Sequence, residues 1–485
     1  MNYSSVMDTR TTRADGTDGG PRRPTFPEAI VPLVIVVASL GVGSGLLGLA
    51  PHGPLLWSIA FAGLFAHYRL GYDWDGLYDA AEGGLRMGMQ AILILFVIYG
   101  LIATWTSAGT IPGLMYYGLG LLSPQVFLPV TALLAAIVAF AIGSSWTTVG
   151  TLGVAFIGIG SGLGVSAPMT AGAIVSGAYA GDKQSPLSDT TNLAAAVTNT
   201  DLYDHINAMR LGTAVALGLS VVGYAVLGAF VVSGSGGDTA AITGPLASTY
   251  ALGPLVFLPL VVTFGLAIRG YPALPALVAG VFAGAGTTVL AQGRSFTAAW
   301  DAFLNGTAPE TGSELVNGLL TTGGLAGSGW TIAVVVAALA LGGLLEGTDV
   351  LAVVADRLAD VVWSRNSLVV GTGAAALLTN AFTAQQYMSI VVPGVSLREL
   401  YDEYGLDSRD LSRAVEAAGT PTGPLFPWHA GAVFMAASLG FESSWAFVPF
   451  YFFGPLSVLA LVGMALAGRA TTPTEAPAGA APADD

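Results

Sequence analysis

The chain has 485 residues, 53% hydrophobic and only 9% charged, against roughly 25% charged in soluble globular proteins, which excludes a water-soluble enzyme with a solvated surface of this size. There is no cysteine, so disulfides, thiolate catalysis and cysteine-ligated metals are excluded. The net charge is −14 and Lys183 is the sole lysine; with no basic stripe, nucleic acid is excluded as a partner, while the acid surplus suits a protein facing concentrated salt.

Residues 1–27 are polar and lack the apolar core of a signal peptide, and they read as a disordered cytoplasmic arm. Residues 28–467 read as one transmembrane transporter domain, with halves of roughly 28–235 and 250–467. Its apolar segments fall near 29–50, 52–68, 87–106, 125–142, 146–165, 168–181, 211–233, 252–268, 272–291, 315–346, 367–397, 414–440 and 445–467. Between 87 and 181 there is no Asp, Glu, Lys, Arg or His. At about 20 apolar residues per span, this stretch alone holds about four. The fold class is therefore an all-α polytopic membrane protein surrounded by lipid. Residues 468–485 read as a disordered tail. Arg10, Arg13, Arg22 and Arg23 precede the first span, and Arg357, Arg365, Arg398, Arg409, Arg413 and Arg469 cluster late. The positive-inside rule places both termini in the cytoplasm of a multi-pass cell-membrane protein.

Polar groups interrupt the apolar pattern in four places. Ser144, Ser145, Thr147 and Thr148 surround Trp146 inside the uncharged stretch. They fit either the tip of a re-entrant hairpin or a continuous helix whose hydroxyls bond back to the preceding turn. Next come Asp182, Lys183, Ser185, Pro186, Ser188, Asp189, Thr190 and Asn192. Pro186 lacks a backbone donor and breaks the helix, freeing carbonyl oxygens that suit a small hard cation. Asp182 and Asp189 add negative charge. Charge at this depth costs at least about 2.5 kcal/mol and is characteristically paired and functional. We expect Asp189 to be the principal ion ligand, with Asp182 as a coupled carboxylate and Lys183 as its charge partner. Ser185, Ser188, Thr190 and Asn192 supply neutral oxygens. A second tip is expected at Thr379, Asn380, Thr383, Gln385 and Gln386, and a second broken helix from Glu416 through Pro421, Pro424 and Pro427 to His429.

The order of tip and then broken helix occurs at 143–197 and again at 376–433, with Ser185-Pro186-Leu187 set against Gly423-Pro424-Leu425. Paired interrupted segments in two halves point to a secondary-transporter site at a repeat interface. The expected architecture is an inverted repeat with two re-entrant hairpins and two broken helices.

The runs Gly-Ala-Tyr-Ala-Gly-Asp-Lys-Gln-Ser-Pro-Leu-Ser-Asp-Thr-Thr-Asn-Leu-Ala at 177–194 and Gly-Ser-Ser-Trp-Thr-Thr-Val-Gly-Thr at 143–151 resemble those of NhaC-type sodium/proton antiporters. So do Gln-Tyr-Met-Ser-Ile-Val-Val-Pro-Gly at 386–394, Leu-Ser-Arg-Ala-Val-Glu at 411–416 and Gly-Thr-Pro-Thr-Gly-Pro-Leu-Phe-Pro-Trp at 419–428. The resemblance implies a carrier that exchanges sodium and protons. Two positions depart from the family pattern: Gln385 stands where Asp is common, and His429 where Asn is common. Because the family also includes malate/lactate exchangers, a sodium- or proton-coupled organic-anion exchanger is the alternative.

The expected mechanism is competition: sodium binds only the ionised carboxylate, and a proton takes the same oxygens, with alternating access to a midplane site. Lys183, Gln385, Glu416 and His429 are the expected coupling residues, with His429 giving a pH response near neutrality. No cofactor is expected beyond the transported ions, a homodimer is compatible with the chain, and no enzyme motif stands out.

Overall fold

A computed structural model describes residues 21–230, 239–359 and 362–472. The expected disordered arm therefore lies outside the described residues from 1 to 20, and the expected disordered tail from 473 to 485. The described residues form helices, with one isolated β-bridge between Thr307 and Thr322.

The chain enters through α1 (Phe26–Leu40), α2 (His52–Phe65) and α3 (Trp74–Ser107). Apolar content alone starts the third segment at 87. The helix starts at Trp74 because Asp73 caps it, accepting from the Gly76 amide at 2.9 Å, and its first three turns are amphipathic. Then follow α4 (Thr110–Leu121), α5 (Pro124–Ile142), α6 (Ser145–Gly162), α7 (Ala167–Asp182), α8 (Asp189–Val197) and α9 (Leu202–Phe230). The middle of the chain supplies α10 (Ala240–Thr249), α11 (Leu258–Ile268), α12 (Ala273–Leu290), α13 (Phe296–Asn305), α14 (Glu314–Leu320) and α15 (Gly329–Gly347). The segment expected as one span over 315–346 is divided, because Gly324 turns the chain with φ 55° beside the Thr307–Thr322 bridge. The last part comprises α16 (Val350–Ala359), α17 (Arg365–Thr383), α18 (Gln386–Ser396), α19 (Arg398–Glu403), α20 (Ser408–Gly419), α21 (Ala430–Ser438) and α22 (Phe453–Leu466).

Among the described residues, six helices are long and apolar enough to cross a membrane, and up to seven if the pair Ala240–Thr249 and Pro254–Ile268, bent by 98°, counts as one span. The shorter helices α6, α7, α8, α18, α20 and α21 lie inside this frame and carry most of the polar clusters. Close approach requires small residues there: a Cβ on Gly181 of α7 would overlap the Ala136 carbonyl of α5. Joining contacts also tie the loop after α8 to the start of α20. Thr200 donates to the Ser408 hydroxyl at 3.0 Å, and Arg398 binds the Val197 carbonyl. The end of α8 therefore lies beside the starts of α19 and α20.

Candidate functional site

Two helix interruptions and two tight turns build the site. At the first interruption, α7 ends at Asp182, and single turns close from Gln184 to the Gly181 carbonyl (3.1 Å) and from Ser185 to the Asp182 carbonyl (3.0 Å). Pro186 then stops the ladder, and Ser188 caps α8, its hydroxyl accepting from the Thr191 amide. Asn192 folds back, donating to the Pro186 carbonyl at 2.9 Å and to the Ser188 carbonyl at 2.7 Å. The Ser185 hydroxyl accepts from the Leu187 amide at 3.2 Å. Ser185, Ser188 and Asn192, expected as cation ligands, thus already hold the break in shape, because an interrupted helix must satisfy its own backbone first.

The first tight turn joins α5 to α6 through Gly143 and Ser144. Gly143 adopts φ 72° and ψ 35°, and Ser144 adopts φ −157° and ψ 115° and caps α6 at the Thr147 amide. Thr148 also bonds back to the Ser144 carbonyl at 2.9 Å. A turn therefore interrupts the helix ahead of this cluster, and the Thr148 and Thr151 hydroxyls bond back to carbonyls one turn earlier in α6. Gly143 rests on the first interruption: a Cβ there would stand 2.5 Å from the Leu187 carbonyl carbon.

The second turn repeats these angles. Ala384 has φ 56° and ψ 24°, and Gln385 has φ −146° and ψ 124°. Gln385 caps α18, its side-chain oxygen accepting from the Tyr387 and Met388 amides. At the second interruption a 3-10 segment, Thr420–Leu425, follows α20, and His429 caps α21. Its φ of −71° and ψ of 138° match the −67° and 132° of Ser188. Aligned on these two caps, Pro186 falls opposite Pro427, three residues beyond the Pro424 that sequence comparison pairs with it; extended angles of this kind are shared by other N-caps, Ser166 and Asp407 among them. The Ala384 carbonyl accepts from the Ala430 amide at 2.8 Å, so each turn rests on the interruption that follows it in the chain.

The charged groups gather at the first interruption. Asp182 is buried; one carboxylate oxygen accepts from the Ser145 amide at 3.1 Å and the other has no hydrogen-bond partner. Asp189 is exposed at the start of α8. Its oxygens accept from the Thr190 amide at 2.8 Å and from the Tyr387 hydroxyl at 2.6 Å. The expected Asp182–Lys183 pair is replaced. Lys183 donates to the Glu416 carbonyl (2.5 Å), the Thr420 hydroxyl (2.7 Å) and the Glu416 carboxylate (3.4 Å). Successive residues at a helix end diverge in direction, so the ammonium leaves its neighbour and crosses to α20. Thr190 donates to the same Glu416 oxygen at 3.2 Å, and the other Glu416 oxygen has no partner. Glu416, expected from sequence as a coupling residue at the start of the second broken helix, is fully buried at the centre.

The second interruption is neutral. Asn380 donates to the Gly419 carbonyl and to the Thr422 hydroxyl, and its amide oxygen meets His429 Nε2 at 3.1 Å. His429 Nδ1 accepts from the Gly431 amide at 3.0 Å, so Nε2 carries the hydrogen and the ring is neutral in this arrangement. Thr379 and Thr383 bond back along α17. The structure thus unites Asp189, Thr190, Glu416 and Lys183, with Asp182 beside them at the turn; it leaves Asn380 and His429 in a neutral lock at the second interruption, while Gln385 holds the turn that carries Tyr387. Among the described residues no three His, Asp or Glu side chains form a group able to hold a metal.

Two side chains that composition and motif do not single out stand here. Tyr387 reaches Asp189 from α18; its only signal is its place in the 386–394 run. His205, fully buried on α9, meets the Ser412 hydroxyl at 2.6 Å, one helical turn before Glu416. A lone histidine at the start of an apolar helix gives no signal of its own.

The family model for the Na+/H+ antiporter family matches residues 25–182 and 177–469. The arginine/ornithine antiporter ArcD of Halobacterium salinarum is 52% identical over 92% of this chain and 93% of its own length. The Na(+)/H(+) antiporter NhaC of Alkalihalophilus pseudofirmus is 36% identical over 87% and 90%. The malate-2H(+)/Na(+)-lactate antiporter of Bacillus subtilis is 35% identical over 88% and 92%.

Proposed function

Because the chain belongs to the Na+/H+ antiporter family, we propose that it exchanges sodium for protons across the cell membrane, through a site centred on Asp189. The observation that carries this reading is the charge balance at the first interruption. Three carboxylates, Asp182, Asp189 and Glu416, lie around the first interruption with one ammonium, Lys183, which pairs with Glu416 alone and whose three hydrogens all have acceptors. Two negative charges then remain for cargo. A sodium ion and a proton each neutralise a carboxylate, and neither binds where the other sits. Asp189 is the exposed member, which makes it our candidate for the carboxylate that cargo meets first. Asp182 and Glu416 each keep one unpartnered buried oxygen, a costly state that a cation or proton relieves.

The matched angles of the two turns support an inverted repeat, with the two turns as tips of hairpins that enter from opposite faces. The site then lies near the midplane where the halves meet, and rocking of one half against the other exposes it alternately. With the late arginine cluster on the cytoplasmic side, both termini lie in the cytoplasm.

A second reading, exchange of basic amino acids, is favoured by the 52% identity to an arginine/ornithine antiporter. An exposed carboxylate also suits a guanidinium or ammonium group. The organic-anion alternative finds less support, because Lys183 is already committed to Glu416. Purified protein in liposomes, challenged in turn with sodium, arginine and malate gradients, separates the three: only the sodium gradient moves protons under the leading proposal.

A further inference from the structure

This inference rests on Asp189 being the carboxylate that meets the cargo. We propose that Tyr387 is the latch on that carboxylate: its hydroxyl occupies the oxygen that a cargo cation must take, and so sets the apparent affinity.

Three features of the geometry carry this. The Tyr387 hydroxyl donates to Asp189 at 2.6 Å, and the other Asp189 oxygen is held by the Thr190 amide of its own helix. The tyrosine is therefore the contact that a cation displaces without unwinding α8. Next, α18 lies along α8 beyond the tyrosine. A Cβ on Gly394 would stand 2.8 Å from the Val197 side chain, and Arg398 binds the Val197 carbonyl. That flank is closed along the length of α8, with Tyr387 at the Asp189 end. Finally, the tyrosine is aimed by its turn, since Gln385 caps the amides of Tyr387 and Met388. Its positional counterpart after the first turn, Trp146, is buried, with its ring stacked on Phe434 at 4.7 Å. Only the second turn thus places an aromatic hydroxyl on a carboxylate of the other half.

A hydrogen bond to a charged group stabilises the cargo-free carboxylate, and every incoming cation must give that stabilisation back. Tyr387→Phe keeps the ring and removes only the donor. The test compares wild type and Tyr387→Phe at alkaline pH, where proton competition is weak. Sodium-dependent protection against thermal unfolding in detergent is read together with sodium-driven proton flux in liposomes. The latch predicts that half-saturating sodium falls on the order of tenfold in Tyr387→Phe, the fold-change expected from a net charge-assisted hydrogen bond. If the hydroxyl is instead a cargo ligand or a bystander, half-saturating sodium rises or stays unchanged, and the latch is overturned. A wild type that shows neither sodium protection nor sodium-driven flux overturns the sodium antiport reading on which the latch rests. The two failures are distinct because the first needs a sodium-responsive wild type.

Discussion

Lys183, at the end of α7, lays its ammonium 2.5 Å from the carbonyl oxygen and 3.4 Å from the carboxylate of Glu416 on α20. Both residues are buried, so the link joins the two interrupted helices through the interior. The ammonium also sits in the last turn of α20, where carbonyl oxygens lack helical partners and the helix end is negative. Lys183 therefore satisfies the break in the second half from the first.

That link predicts a stability coupling. Lys183→Met leaves Glu416 buried without its cation, and losing one member of a buried pair costs about 3–5 kcal/mol. Glu416→Gln in the same chain should recover a large share, because the uncompensated charge is then gone. Thermal unfolding of the two single variants and the double variant checks this. Strictly additive losses would show that the two residues are not coupled.

The exposed carboxylate and the buried one should separate in transport. Asp189→Asn is expected to abolish cation-driven proton flux while the protein remains folded, since Asn keeps an oxygen for the Thr190 amide. Flux near the wild-type rate in Asp189→Asn, with Asp182→Asn inactive, would move the site to Asp182.

His429 is expected to act as a helix cap and not as a pH sensor. Its Nδ1 already accepts the Gly431 amide and its Nε2 meets Asn380, so a second proton would have to displace the cap. His429→Asn retains a capping oxygen, and its apparent sodium affinity should run parallel to wild type across pH. His429→Ala should lose about 1 kcal/mol of stability. A flattened pH dependence in His429→Asn would restore the sensor role.

The first turn should tolerate no side chain. Gly143→Ala combines a left-handed φ of 72° with a Cβ that meets the Leu187 backbone, so little folded protein is expected. Ala384→Gly, at the matching left-handed position of the second turn, should fold and transport. Yield of monodisperse protein reads both, and a well-folded Gly143→Ala would mean that the turn does not rest on the interruption as described.

Much of this was legible in the residues. An uncharged run from 87 to 181 demands membrane spans, and Pro186 among hydroxyls and carboxylates demands a broken helix. Ser144, Ser145, Thr147 and Thr148 suit a hairpin tip and a continuous helix equally, and the turn ahead of them comes from the left-handed Gly143. Lys183 was legible as a residue of the site but not in its pairing. Adjacency in sequence favours Asp182, whereas the partner, Glu416, lies 233 residues away and is set by how α8 packs on α20. Tyr387 stayed hidden for the same reason, since nothing local marks an aromatic whose hydroxyl finds Asp189 across the halves. Helices α13 and α16 were missed because each is amphipathic and short of an apolar span.

The central claim is sodium–proton exchange at Asp189. Its most direct test is purified protein in liposomes holding an internal pH dye, given an inward sodium gradient with the membrane potential clamped. The account predicts that the interior becomes more alkaline as protons leave against entering sodium, and that Asp189→Asn gives no signal. A silent dye under the sodium gradient, with labelled arginine exchanging for ornithine through the same vesicles, would contradict it.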